Sequence, residues 1–339
     1  MTHAEWEPMT MAAVDAEPVA ENETAWIWNG FLMPGDITLL TSRWKTGKTT
    51  LLAGLLRHLE TGTPFLERDT RPARAWIVSE ESRAQWRERL RRMPIGSHVE
   101  LIARPFEGRP TPDDWNRMID RAIAARPGLF VVDPLASFLP GRCESDAASL
   151  LEAMQPLLRL TAAGTAVLLL HHPRKKPAEV GSAARGSGAM LSFVDISLEL
   201  SRAGGLDSET NRRLIRAQSR REGVPARLAY EWDPATGVFS VATDPRERHF
   251  QENWPTMLGI LKGRTDAITH KEFAEYWPYE TDVPGKTVLY AWCALAFDRK
   301  LVRREGRGTK SDPYGYRLEN KGDRYRDQGR LEPLEPLDD

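Results

Sequence analysis

The chain predicts an α/β fold with a mostly parallel sheet, followed by a small C-terminal module of three helices and a hairpin. Three observations carry this. From Ile37 to about Ser201, short apolar runs alternate with longer segments of helical period, as repeated βα units do. The runs are nearly continuous rather than alternating, which suits parallel strands buried on both faces. Between Asp244 and Arg248 the pattern changes, and residues 254–318 read as helix, helix, helix, hairpin.

The elements follow in order. Residues 1–24 are acidic and have neither a basic start nor an apolar h-region, so they are expected to be a disordered tail and not a secretory leader. Strands are expected at 37–40, 75–78, 129–132, 166–170 and 194–200, and helices at 49–59, 112–125 and 147–162. Runs at 213–219, 226–230 and 238–241, the last two joined by the turn sequence Asp233-Pro234-Ala235-Thr236-Gly237, form an antiparallel extension. The expected domains are therefore 25–245 and 250–319, with a charged, Pro-containing disordered tail over 320–339.

Composition narrows the class. A chain of 339 residues can bury one substantial core and still supply a second small domain. Apolar residues make up 41% and charged ones 28%, and no apolar run approaches the roughly 18 residues of a membrane helix, so no membrane partner is expected. Cys143 and Cys293 are far apart and lack Cys or His at metal spacing, which argues against a disulfide framework or zinc site and for a reducing, cytoplasmic setting. The net charge of -1 gives no global reason to bind nucleic acid, so such binding must rest on local patches.

Ser42-Arg43-Trp44-Lys45-Thr46-Gly47-Lys48-Thr49 ends as the phosphate loop G-x-x-x-x-G-K-[ST] ends, with serine where glycine is usual. A buried strand precedes it and a helix follows, so backbone N–H groups from Ser42 to Thr50 can cradle phosphates at the helix N-terminus. Lys48 then reaches the β/γ-phosphates, and the Thr49 hydroxyl is placed to ligate Mg²⁺. An ordinary strand-turn-helix is the competing reading. Pro284-Gly285-Lys286-Thr287 repeats the GKT without a preceding buried strand, and there a plain helix start is expected.

Leu129-Phe130-Val131-Val132-Asp133 supplies the carboxylate expected at the end of a neighbouring strand, where Asp133 can hold Mg²⁺ or its water. The strand 75–78 ends in Ser79-Glu80-Glu81-Ser82. A carboxylate there can orient and deprotonate an attacking water, and an acid-rich helix N-terminus is the structural alternative. His171 and His172 follow the strand 166–170, where one can donate to a γ-phosphate; no carboxylate or cysteine lies at ligand spacing for a metal pair.

The order GKTTLL, WIVSEES, LFVVDPL, VLLLHHPRK and ARGSGAM resembles the RecA-like ATPases of the plasmid replicative helicase (RepA) type over about residues 25–245. The resemblance implies a RecA-like P-loop NTPase core that uses ATP and Mg²⁺. It implies Lys48 and Thr49 on phosphate and metal, Glu80 as catalytic base, Asp133 as the second metal residue, His172 as γ-phosphate sensor and Arg185 as an arginine finger reaching a neighbouring subunit. A finger in trans requires a homo-oligomer, and a hexameric ring is expected. Arg174-Lys175-Lys176 lies in the same segment; in ring-forming motors the equivalent residues line the channel, so the loop 173–189 is the expected contact for single-stranded DNA. A solvated charge cluster is the alternative.

At the C-terminus, three amphipathic stretches and a Gly-tipped hairpin look like a winged helix. From Asp298 to Lys310 six basic residues face two acidic ones, which favours duplex phosphate contact. The expected function is Mg²⁺-dependent ATP hydrolysis by a ring-forming motor or helicase acting on DNA in replication of a plasmid, phage or integrated element. A nucleotide-gated DNA-binding regulator that unwinds nothing is the alternative.

Overall fold

A computed structural model describes residues 10–12, 25–140, 147–172, 188–203, 210–279 and 281–318. The chain forms two compact units, Met1–Asp244 and Pro245–Asp339.

The first unit is an α/β layer structure. Its opening strand β1 (Ile37–Ser42) is buried at every position and runs into helix α1 (Lys48–His58). Then come β2 (Ala75–Ser79), α2 (Arg83–Arg92), β3 (Val99–Ala103), α3 (Pro112–Ala125), β4 (Leu129–Asp133), the one-turn α4 (Leu135–Phe138), α5 (Ala147–Ala162) and β5 (Ala166–His171). After α6 (Gly188–Phe193), four strands, β6 (Ile196–Arg202), β7 (Arg212–Ser219), β8 (Arg227–Trp232) and β9 (Phe239–Ala242), finish the sheet.

Among the described residues, strands β1 to β9 form one sheet in the order β3-β2-β4-β5-β1-β6-β7-β8-β9. Pairing is parallel from β3 through β6 and antiparallel from β6 through β9. Successive strand residues point to opposite faces, and the core divides accordingly. Leu40, Ile77, Val131 and Leu168 pack with Leu51, Leu52, Leu55 and Leu56 of α1. Leu39, Val78, Val132 and Leu169 pack with Trp115 and Ile119 of α3 and with Leu150, Met154 and Leu157 of α5.

Two elements escape the apolar pattern. β3 is an edge strand whose residues are half-buried or exposed, so Val99-Glu100-Leu101-Ile102-Ala103 lacks a continuous apolar run. α2 buries only Trp86, and its remaining face is mostly arginine and glutamate. Its start is nevertheless written in a capping box, with the Ser82 hydroxyl accepting from the Gln85 N–H and the Gln85 side chain accepting from the Ser82 N–H. The expected strand 194–200 begins two residues later, at Ile196, because Val194 and Asp195 form the short link between α6 and β6.

The second unit contains α7 (Pro245–Leu261), β10 (Ile268–Thr269), α8 (His270–Glu275), α9 (Lys286–Asp298), β11 (Val302–Glu305) and β12 (Gly315–Leu318). α7 starts nine residues before the expected Trp254, with Pro245 in the first turn where its missing N–H is harmless. β12 lies between β10 and β11 in a small antiparallel sheet. Trp254, Trp277 and Trp292 are buried with Phe250, Phe273, Leu289 and Tyr316 in a core of their own.

Candidate nucleotide site

The tips of β2, β4, β5 and β1, four adjacent strands, carry Glu80, Asp133, His172 and the loop 42–49 in that order. β4 is not the immediate neighbour of β1, as a two-strand reading assumes: β5 lies between them, and its His172 fills the gap. The Glu80 N–H donates to the Asp133 carbonyl over 3.0 Å and ties two of these tips together.

The loop turns without needing glycine at its first position. Ser42 lies in β1, paired with Leu200, and is not in the left-handed region. Left-handed geometry falls instead on Lys45, at φ 59, and on Gly47, at φ 104, the second being a conformation that favours glycine. The second Gly-Lys-Thr, at Gly285-Lys286-Thr287, differs as expected. Gly285 caps α9 with an extended φ of -61 and no buried strand before it. Thr46 is buried and donates its hydroxyl to the Arg43 carbonyl, while Arg43, Trp44 and Lys45 are exposed and the Lys45 ammonium rests 4.4 Å from the Trp44 ring centre.

Lys48 is buried, and its ammonium is parked on the loop itself. It donates to the Ser42 carbonyl at 3.2 Å and the Ser42 hydroxyl at 2.9 Å, and it lies 2.9 Å from His172 Nδ1. Burial pushes its pKa down to about 8, with Asp133 opposing that shift. The His172 pKa is lowered by burial first and then by Lys48. A neutral ring that accepts at Nδ1 carries its proton on Nε2.

The Thr49 hydroxyl donates to Asp133 Oδ2 over 2.9 Å. Burial raises the Asp133 pKa to about 6, against the opposing effect of the Thr49 hydrogen bond; Glu81 adds to the rise, and Lys48 and Arg89 counter it. Two hard oxygen donors beside a phosphate cradle fit Mg²⁺, which takes one or two protein ligands together with phosphate oxygens and water.

The two glutamates separate by partner. Glu81 takes both nitrogens of Arg89, at 2.5 and 3.0 Å, and Arg89 lies over the Trp86 ring. Glu80 is exposed at the strand tip and accepts the Ser137 hydroxyl at 2.5 Å from α4. Ser137, Arg89, Arg202 and Arg213 are the site residues that sequence reading misses. Ser137 sits four positions after Asp133 in a one-turn helix without periodicity, and the arginines reach the site across strands or from an otherwise solvated helix face. Arg185 and residues 173–187 lie outside the described residues, as do most of the two terminal tails; Gly188 and Ala189 begin α6 rather than extending the loop.

A buried lysine on a strand-loop-helix turn, with a hydroxyl–carboxylate pair beside it at the carboxyl edge of a mostly parallel sheet, defines a P-loop nucleotide-dependent ATPase. The chain belongs to the AAA domain family, whose pattern it matches over residues 4–178, just over half its length. A comparison with the curated proteins returns no match. No helix among the described residues is long and apolar enough to cross a membrane.

Proposed function

We propose that the protein is a Mg²⁺-dependent, RecA-like ATPase of the RepA type that forms a hexameric ring and works on DNA as a motor. The observation that carries this reading is the row of Glu80, Asp133, His172 and Lys48 on four adjacent strand tips. In the proposed reaction water attacks the γ-phosphorus, the bond to the β-bridging oxygen breaks, ADP leaves with its electron pair, and the water proton passes to Glu80. Lys48 leaves Ser42 and His172 to meet the phosphates, and the His172 Nε2–H donates to the γ-phosphate. Thr49 and Asp133 hold Mg²⁺, which when bound neutralises charge developing on the phosphate oxygens. Arg185 completes a neighbouring subunit's site.

Glu80, exposed at the strand tip, suits a base, and its Ser137 contact fixes its direction. Glu81 is less suited, because Arg89 occupies both its oxygens. For DNA, the loop 173–189 supplies single-strand contacts and the second unit acts as a winged helix. Its tip is shaped by Asp312, which accepts the Arg307 N–H at 3.1 Å, and Arg307 and Lys310 are exposed there. Arg304 is held between Phe297 and Tyr314, 4.3 and 4.2 Å from their ring centres, and so serves that fold.

Strand displacement on a tailed duplex tests the proposal. ATP-dependent displacement by the wild-type protein, lost in Lys48→Ala, is the expected result. Hydrolysis stimulated by single-stranded DNA without displacement points to a nucleotide-gated switch.

A further inference from the structure

Two arginines, from β6 and β7, hold carbonyls of the phosphate loop. The Arg213 Nε on β7 donates to the Thr46 carbonyl at 2.8 Å, and the Arg202 Nη2 at the end of β6 donates to the Lys45 carbonyl at 3.3 Å. Arg213 is itself fixed, since its Nη1 donates to the carbonyls of Thr210 at 2.6 Å and Arg212 at 3.0 Å.

In a planar trans peptide the C=O and the following N–H point in opposite directions. Drawing the Lys45 carbonyl toward Arg202 turns the Thr46 N–H the other way, and drawing the Thr46 carbonyl toward Arg213 does the same for the Gly47 N–H. These are adjacent amides of the loop. The peptide between Thr46 and Gly47 is otherwise easy to flip, because Gly47 at φ 104 has no Cβ to resist it. Lys45 at φ 59 pays a strain that a non-glycine residue tolerates only when its surroundings hold it.

We propose that Arg213, assisted by Arg202, is a positioning residue that pre-orients the Thr46 and Gly47 amides toward the nucleotide's phosphates. This rests on the phosphate-site reading above. It gives the antiparallel extension a role in nucleotide affinity, and it adds two guanidinium groups to a loop that already carries Lys48. Preorganised amides bind an anion without first being reoriented.

The test uses the full chain, with Mg-ADP titrated calorimetrically and ATP turnover measured alongside. Arg213→Ala is expected to weaken Mg-ADP binding about tenfold and raise the KM for ATP by a similar factor, with kcat at saturation changed less than threefold, since bound phosphates then hold the amides. Arg213→Lys recovers part of the affinity through a single donated bond. A general loss of folding instead lowers kcat, through the active fraction, at unchanged KM. Arg213→Ala binding Mg-ADP within twofold of wild type, while Lys48→Ala loses binding, overturns the clamp and leaves the site intact. Lys48→Ala binding like wild type overturns the site itself. If Arg213→Ala does not fold, Arg202→Ala decides: a two- to fivefold loss of affinity is expected, and an unchanged affinity overturns the proposal.

Discussion

The Thr49 hydroxyl donates to Asp133 over 2.9 Å, joining the first turn of α1 to the tip of β4 across the intervening strand β5. This contact orients the carboxylate without giving it a full counter-charge. Asp133 and Lys48 are both buried, and their pKa values are drawn toward each other, the acid up to about 6 and the base down to about 8. The site therefore holds charge at neutral pH against the desolvation that burial imposes.

Asp133→Asn is expected to stabilise the nucleotide-free protein. The folded-state pKa is raised from 3.8 to about 6, so this group's favourable contribution is complete below pH 3.8 and is lost as pH rises through about 6. At pH 7 the wild type bears the whole penalty, about 3 kcal/mol at most from a shift of this size. Melting curves of the two proteins should converge near pH 4 and separate by several degrees at pH 7. A constant gap across that range sinks the argument. Mg²⁺-supported turnover should fall at least about 10²-fold in the same variant.

Lys48→Met carries the opposite linkage. The lysine pKa is lowered from 10.5 to about 8, so its contribution to stability is present above 10.5 and lost as pH falls through about 8. At pH 7 the buried ammonium weighs against folding, and methionine of similar length removes that weight. Turnover should drop at least about 10²-fold while the nucleotide-free melting temperature rises. Activity that survives in a clean preparation removes Lys48 from the site, and a lower melting temperature shows that its bonds to Ser42 and His172 outweigh its burial.

The central strands and α1 are legible in the sequence because burial on both faces writes a continuous apolar run, and Gly47-Lys48-Thr49 stands directly after one of them. Position along the chain also points to Asp133 and His172, since each ends such a run. Spatial order is not legible in this way. Nothing in Ala166 to Leu170 says that this strand separates the loop from Asp133. The roles of Arg202 and Arg213 are equally hidden, because they depend on the register of β6 beside β1 and of β7 beside β6 and not on any motif. Ser42 reads as a departure from the loop pattern, yet its backbone needs no glycine and its hydroxyl receives Lys48.

The two glutamates after β2 should differ sharply in solution. Glu80→Gln removes the proposed base while keeping a group able to meet Ser137, and turnover should fall by about 10² to 10⁴ with ADP binding preserved. Glu81→Gln breaks the pair with Arg89, whose two side chains are 26% and 18% exposed respectively, and should cost about 1 kcal/mol of stability and less than tenfold in rate. Steady-state kinetics on both variants check this, and the reverse ranking assigns the base to Glu81.

At the hairpin between β11 and β12, Arg307 and Lys310 are exposed on a tip closed by Thr309 and Asp312. If both contact duplex phosphates, Arg307→Ala with Lys310→Ala lowers the slope of log affinity against log salt by about 2, because each phosphate contact releases close to one counterion. The loss should be nearly independent of DNA sequence. An unchanged slope, measured by fluorescence anisotropy between low and moderate salt, takes the hairpin out of DNA contact.

A ring with composite sites makes a prediction that a monomeric ATPase cannot satisfy. Arg185→Ala alone should hydrolyse ATP poorly for want of its finger, and Lys48→Ala alone for want of its phosphate lysine. A mixed ring contains some interfaces with an intact Lys48 on one side and an intact Arg185 on the other, so mixing the two inactive proteins should restore part of the turnover. The restored fraction should rise and then fall as the mixing ratio is scanned, since both subunit types are needed at each working interface. Exchange is verified by energy transfer between labelled subunits. Confirmed exchange without any recovery removes Arg185 from the neighbouring site and with it the need for a ring in catalysis.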